Sequence, residues 1–98
     1  MRKQKELFEY LKNIYPNHIV LRQSGSNIEC FYEQAKELGP ELGLPVINKI
    51  NTQGDSFPLL EIPIHEWEKY RDEILNTGRS IAFFKESNGQ GYVEAIRP

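Results

Sequence analysis

The stretch LRQSGSNIECFYEQAKELG, Leu21 to Gly39, changes its period halfway along. Its first residues, with HIV before them, are short and β-branched and predict a strand over HIVLRQ. Ser24-Gly25-Ser26 is a turn or bulge signal. Asn27, Ile28 and Glu29 read as three more strand residues. From Cys30 onward, Phe31, Ala35, Leu38 and Leu42 follow a helical stripe. Gly39-Pro40 falls inside that stripe and predicts a kink or a restart. Glu29 is the one carboxylate on an otherwise neutral polar segment. It is either a working residue or a polar residue on the rim of a small domain.

The same reading extends in both directions. In KELFEYLKNIY, residues Leu7, Phe8, Leu11, Ile14 and Tyr15 recur at helical spacing. Pro16 ends that helix, because the residue before a proline is pushed out of the helical region. LPVINKI and FPLLEIPI are strand candidates joined by the turn-rich NTQGDS. Pro58 and Pro63 favour strand ends or an edge. HEWEKYRDEILNTG is the clearest helix, with Trp67, Tyr70, Ile74 and Leu75 on its apolar face. Glu66 and Glu68 suit the positive end of its dipole, and Gly78 is placed as its C-terminal cap. SIAFFKE and GYVEAIR read as strands joined by SNGQ. The order predicts one α+β domain over residues 1–98, with a mixed or largely antiparallel sheet and about three packed helices.

Composition bounds the function. The chain has 98 residues, enough for one domain with a modest core. It is 39% hydrophobic and 27% charged, as ordinary soluble domains are. A net charge of −2 argues against tight electrostatic binding to nucleic acid, though it leaves room for a local basic patch. Cys30 is the only cysteine, which excludes an intramolecular disulfide and a cysteine-rich metal site. A small domain without disulfides points to a reducing compartment, the cytoplasm. The charged N-terminus has no long apolar run, so neither a signal peptide nor a membrane span is expected there.

The catalytic inventory is thin. His18 and His65 are the only histidines and stand outside any metal-type spacing. His65, at the start of the Trp67 helix, is read as capping that helix or filling a surface notch. His18 sits at a loop-to-strand junction. Cys30 heads the predicted helix, where a thiol pKa can fall, but it lies on the apolar stripe and reads as a small core residue. The glycines match no phosphate-loop fingerprint. No active site and no cofactor are expected.

Two blocks of the chain together resemble a known family. HIVLRQSGSNIECFYEQAKELGPELGL is similar to the start of the MutS family of DNA mismatch-repair proteins. There a strand leads through a glycine to a Phe-x-Glu reading motif, followed by an amphipathic helix with an aromatic pair and Ala-Lys. FPLLEIPIHEWEKYRDEILNTGRSIAFFKE resembles a later block of the same family. The shared features are Ile62-Pro63-Ile64-His65, Tyr70, and Gly78-Arg79-Ser80-Ile81-Ala82. The resemblance covers nearly the whole chain and implies the fold of the MutS N-terminal mismatch-recognition domain. The family's ATPase motifs are absent from these residues. The chain is either a piece of a longer MutS-like protein or a stand-alone relative.

The resemblance implies candidate nucleic-acid-binding residues: Ser26, Asn27 and Glu29 at the turn, and Lys49 before NTQG. The family's glutamate is retained as Glu29, whereas Asn27 stands in place of its phenylalanine. Residues 27 and 29 of a strand share a face and Ile28 takes the other, so Ile28 points to the core and cannot replace the wedge. An apolar wedge is what holds a base step open in minor-groove kinkers. Loss of one aromatic stack costs about 1–3 kcal/mol, roughly tenfold to a hundredfold in affinity. Lys49 is a phosphate contact or a solvated hairpin lysine. The expected partner is double-stranded DNA, mismatched or kinked, bound weakly, with further MutS-type domains or another protein as further partners and no membrane. The alternative is a protein-interaction or regulatory module that keeps the fold and no longer reads DNA. A small enzyme ranks last.

Overall fold

The computed structural model describes residues 3–98. Met1 and Arg2 of the expected domain lie outside the described residues. The elements follow the predicted order: α1 (Lys3–Ile14), β1 (His18–Ser24), β2 (Asn27–Phe31), α2 (Tyr32–Leu42), β3 (Val46–Ile50), β4 (Ser56–Pro63), a single 3-10 turn (Ile64–Glu66), α3 (Trp67–Asn76), β5 (Ser80–Ser87) and β6 (Gln90–Ile96). The strands form one mixed sheet in the order β3-β4-β2-β1-β5-β6. Every neighbouring pair is antiparallel except β1 with β5. The domain is therefore α+β, with three helices on a six-stranded sheet. Among the described residues no helix is long and apolar enough to cross a membrane.

Alternation along the strands divides the core between the two sheet faces. On one face Leu21, Ile28, Cys30, Leu60, Ile62 and Phe83 pack beneath Ala35 and Leu38 of α2 and Tyr70 and Ile74 of α3. On the other, Val20 and Ala82 are covered by Leu7, Phe8 and Leu11 of α1. Most of the helix stripes read from the sequence are these buried faces, except that Ile14 at the end of α1 is exposed. Trp67 adds an edge-on contact with Phe83, ring centroids 5.1 Å apart, an arrangement aromatic pairs favour.

The second helix begins later than its stripe suggests. Cys30 and Phe31 belong to β2, not to α2. Cys30 is paired with Leu21 on one side and Leu60 on the other, so ladder bonds hold it in the sheet centre. The stripe arises because Phe31 is buried on the strand and Ala35, Leu38 and Leu42 on the helix that follows it directly. The change of direction is made at Tyr32, which has φ 61. That left-handed conformation costs a non-glycine residue about 1–2 kcal/mol. Aromatic neighbours hold Tyr32 there: Phe8 at 4.9 Å and Phe57 at 5.8 Å between centroids.

Pro40 does not interrupt α2, which runs to Leu42 and ends at Gly43 in the left-handed region. Gly39 is buried against the sheet. A Cβ there would collide with the Val46 side chain and lie 3.1 Å from the Leu44 carbonyl oxygen. Gly39 thus sets how closely α2 lies on β3. Pro63 ends β4. Pro58 lies one residue beyond the last β2–β4 pair, Phe31 with Leu59. There β4 has only β3 beside it, and a missing N–H is tolerated on the open side.

β1 extends past the end of β2, and Gln34 of α2 fills the gap. Its Oε1 accepts from the Val20 N–H at 2.9 Å, and its Nε2 donates to the His18 carbonyl at 3.0 Å. One buried amide side chain thereby satisfies two backbone groups that a longer β2 would have paired.

Candidate nucleic-acid interface

β1 and β2 form a hairpin whose last pair is Ser24 with Asn27, leaving a two-residue turn of Gly25 and Ser26. Gly25 has φ 60, at the first turn position where a type II′ hairpin turn takes glycine. The Ser26 carbonyl accepts from the Ile64 N–H at 3.0 Å. This bond ties the hairpin tip to the 3-10 turn after β4. Ser26 is exposed and Asn27 half-buried at the end of the sheet.

The alternation expected from the sequence is present. Ile28 is fully buried in the core, and Asn27 and Glu29 share the opposite face, the one that carries α1. Glu29, however, is not a rim residue. It stands in the sheet interior, opposite Arg22 on one side and Glu61 on the other, and only 6% of it is exposed. Its Oε1 accepts from Arg22 Nη2 at 2.7 Å. The Arg22 guanidinium also lies over the Phe31 ring, 5.1 Å from its centroid, a favourable cation–π placement. The more accessible member of the pair is the arginine, whose side chain is 28% exposed.

Arg22 went unnamed in the sequence reading, yet a signal for it existed. A two-residue turn at Gly25-Ser26 places Asn27 opposite Ser24, and the same register places Glu29 opposite Arg22. Opposite charges directly across an antiparallel pair attract.

Lys49 is not brought to this cluster. It is exposed on β3, opposite Phe57, while Glu29 is opposite Glu61. The register puts Lys49 on the same sheet face, but displaced by four residues along β4, about 13 Å, and by two strand spacings, about 10 Å. There it borders a separate cleft of about 700 Å³, between the start of α1 and the β3–β4 hairpin, with Tyr32 and Phe57 in its wall. Ser26 and Asn27 thus lie at the hairpin end, Glu29 two residues inward of Asn27, and Lys49 toward the opposite end of the sheet.

The remaining reactive side chains are placed for other roles. Burial pushes the Cys30 thiol up to about 12, so it carries no thiolate at neutral pH. His18 is held below its ordinary value by burial, then by the nearby Arg97 and Lys12. Neither of its ring nitrogens has a hydrogen-bond partner among the described residues, and its ring lies 5.2 Å from that of Tyr15. His65 is exposed in the 3-10 turn, and no side-chain cap bond precedes α3. The expected capping role for His65 is therefore absent. Gly78 does close α3, with φ 89 and its N–H donating to the Leu75 carbonyl at 2.9 Å. No group of His, Cys, Asp and Glu among the described residues is arranged to hold a metal ion.

The family described as MutS domain I matches this chain over residues 3–95. The chain belongs to the MutS domain I family. It is 31% identical over 75 residues to the DNA mismatch repair protein MutS of Fusobacterium nucleatum, covering 76% of this chain and 8% of that protein. It is 33% identical over 72 residues to the protein of the same name from Thermus aquaticus, covering 74% of this chain and 9% of that one. The chain thus spans less than a tenth of the length of these relatives. On its β1–β2 hairpin face this MutS domain I carries Glu29, paired with Arg22, and Asn27 beside the turn.

Proposed function

We propose that this domain is a duplex DNA-binding module of mismatch-recognition type, weak by itself, with the β1–β2 hairpin face as its contact surface. The observation that carries the reading is the placement of Asn27 beside the exposed Gly25-Ser26 turn, in a chain of the MutS domain I family. The relatives' printed names, DNA mismatch repair protein MutS, support the same assignment.

Ser26 and Asn27 would offer hydrogen bonds to base edges or phosphates at the hairpin tip. Asn27 has no π-face, so the base step is not propped open by stacking. Lys49 would meet a phosphate well along the duplex from the tip. With a net charge of −2, few counterions are released and the salt dependence is shallow. The other domains of a MutS-type polypeptide are the natural source of the missing affinity, since the relatives are more than tenfold longer than the matched segment.

Fluorescence anisotropy on matched and mismatched duplexes at low salt tests the reading. Weak binding with a preference for the mismatched or kinked duplex is expected. Absence of binding to either counts against it.

A second reading is a protein-interaction module on the same fold. The Arg22–Glu29 pair favours it, because the carboxylate is neutralised within the chain rather than held ready for a base. A protein that engages the Glu29 face and is lost on substitution there would support it.

A further inference from the structure

We infer that the cleft between the start of α1 and the β3–β4 hairpin is a nucleotide-binding site. Tyr32 and Phe57 in its wall take the planar base, and Lys5 and Lys49 at its mouth take the phosphate. The cleft holds about 700 Å³, within the range of about 300–1,000 Å³ that small-molecule sites occupy. The site stands apart from the duplex-binding reading, which uses the β1–β2 hairpin tip toward the opposite end of the sheet.

Tyr32 is the starting observation. Its φ of 61 is shared, among the described non-glycine residues, only by the turn residue Asn88 at 55, and for a bulky side chain such a value is an outlier. Backbone strain of this kind gathers at ligand clamps. Here it turns the chain from β2 into α2 and leaves the Tyr32 ring in the cleft wall. Packing does not use up the aromatic surface, since Tyr32 and Phe57 are each only half-buried. Their centroids lie 5.8 Å apart with the planes at 46°, so neither ring caps the face of the other. Bases of any identity stack on such rings, because every base has a π-face.

The charges in the lining supply the second half of the site. Lys12, Lys36 and Lys85 each reach an oxygen of the chain. Lys5 and Lys49 are exposed and reach none among the described residues. Asp55 is the one carboxylate in the lining among the described residues, so the cleft stands at +1 in a chain of net charge −2. The loop that borders it is ordered in advance. Asn51 Oδ1 accepts from the Gln53 and Asp55 N–H groups at 2.9 and 3.0 Å, and the Asn51 N–H donates to the Asp55 carbonyl at 2.9 Å. A loop held in this way loses less freedom on binding. Aromatic rings for the base beside cations for the backbone are also how single strands are held without sequence readout. The same chemistry is therefore offered by a free nucleotide and by one nucleotide of a single strand.

The test uses the full ¹⁵N-labelled chain with two probes, thymidine monophosphate and a short oligothymidylate, and with thymidine and inorganic phosphate as the separate halves. At least one probe should move the amide signals of Tyr32, Lys49 and Phe57 at concentrations where neither half does so. A response to the oligothymidylate alone identifies a strand as the source, and a response to both admits the free nucleotide. Phe57→Leu, which keeps an apolar side chain and removes the ring, should weaken the responding probe about tenfold. Lys5→Gln, at an exposed position, should weaken it severalfold and, for the oligothymidylate, lower the salt slope by about 0.7. Neither variant should change the binding of a mismatched duplex at the hairpin tip. Absence of these shifts with both probes, or a folded Phe57→Leu and Lys5→Gln that bind as wild type does, overturns the inference and leaves the duplex-binding reading intact. A loss of duplex binding as large as the loss of probe binding also overturns it, because the two ligands would then share one surface.

Discussion

Glu29 and Arg22 face each other across the β1–β2 hairpin, 2.7 Å from Oε1 to Nη2, and the carboxylate is the more deeply buried partner. Across the hairpin the pair gains more than two solvated charges would, while burial of the Glu29 carboxylate sets a desolvation cost against that gain. A double-mutant cycle with Arg22→Ala and Glu29→Ala, read from urea midpoints, should give a coupling of about 1 kcal/mol in favour of the pair. A coupling near zero would mean that the two side chains are held by their neighbours rather than by each other.

Gln34 replaces a missing piece of β2. Gln34→Ala leaves the Val20 N–H and the His18 carbonyl without their partners, and each abandoned buried group costs about 1–3 kcal/mol. A loss of about 2 kcal/mol or more in chemical denaturation is expected. A loss under half of that would show that water reaches this end of β1.

Gly39 is present because of Val46. Alanine is the better helix former by about 1 kcal/mol, yet its Cβ would run into the Val46 side chain, and overpacking costs about 1–3 kcal/mol. Gly39→Ala should therefore lower the melting temperature, and Val46→Ala added to it should recover part of the loss. A more stable Gly39→Ala single variant would contradict this packing.

His18 makes stability depend on pH. Its folded-state pKa lies below the ordinary 6.5, through burial and the fields of Arg97 and Lys12. Below 6.5 the unfolded chain binds this proton more readily than the folded one. The contribution of His18 is complete above pH 6.5 and shrinks as the pH falls through the window beneath it. Urea midpoints should drop between pH 7.5 and 5.5, and His18→Phe, which keeps an aromatic ring beside Tyr15, should flatten that drop. Equal drops in wild type and variant would contradict the assignment.

Much of this was legible in the sequence. Element order followed from period changes and from punctuation such as Pro16, Gly25 and Gly78. The face-sharing of Asn27 and Glu29 followed from strand alternation alone. Strand order did not, because the parallel meeting of β1 with β5 joins residues some sixty positions apart, Ile19 with Ile81, and leaves no local mark. Cys30 and Phe31 were misplaced because a buried strand running directly into a buried helix face continues the apolar pattern across the junction. Gln34 was overlooked because a polar residue reads as solvent-facing until its backbone partners are known. The burial of Glu29 was not legible, because its two neighbours in the row, Arg22 and Glu61, come from different strands.

The central claim is that the β1–β2 hairpin face meets duplex DNA. Amide chemical shifts of the ¹⁵N-labelled chain, followed while a mismatched duplex is added at low salt, test it most directly. The account predicts the largest shifts at Arg22, Ser26, Asn27 and Glu29, a smaller response at Lys49, and little change on α3. Shifts confined to α3 and the opposite sheet face, or no shifts at all, would contradict it.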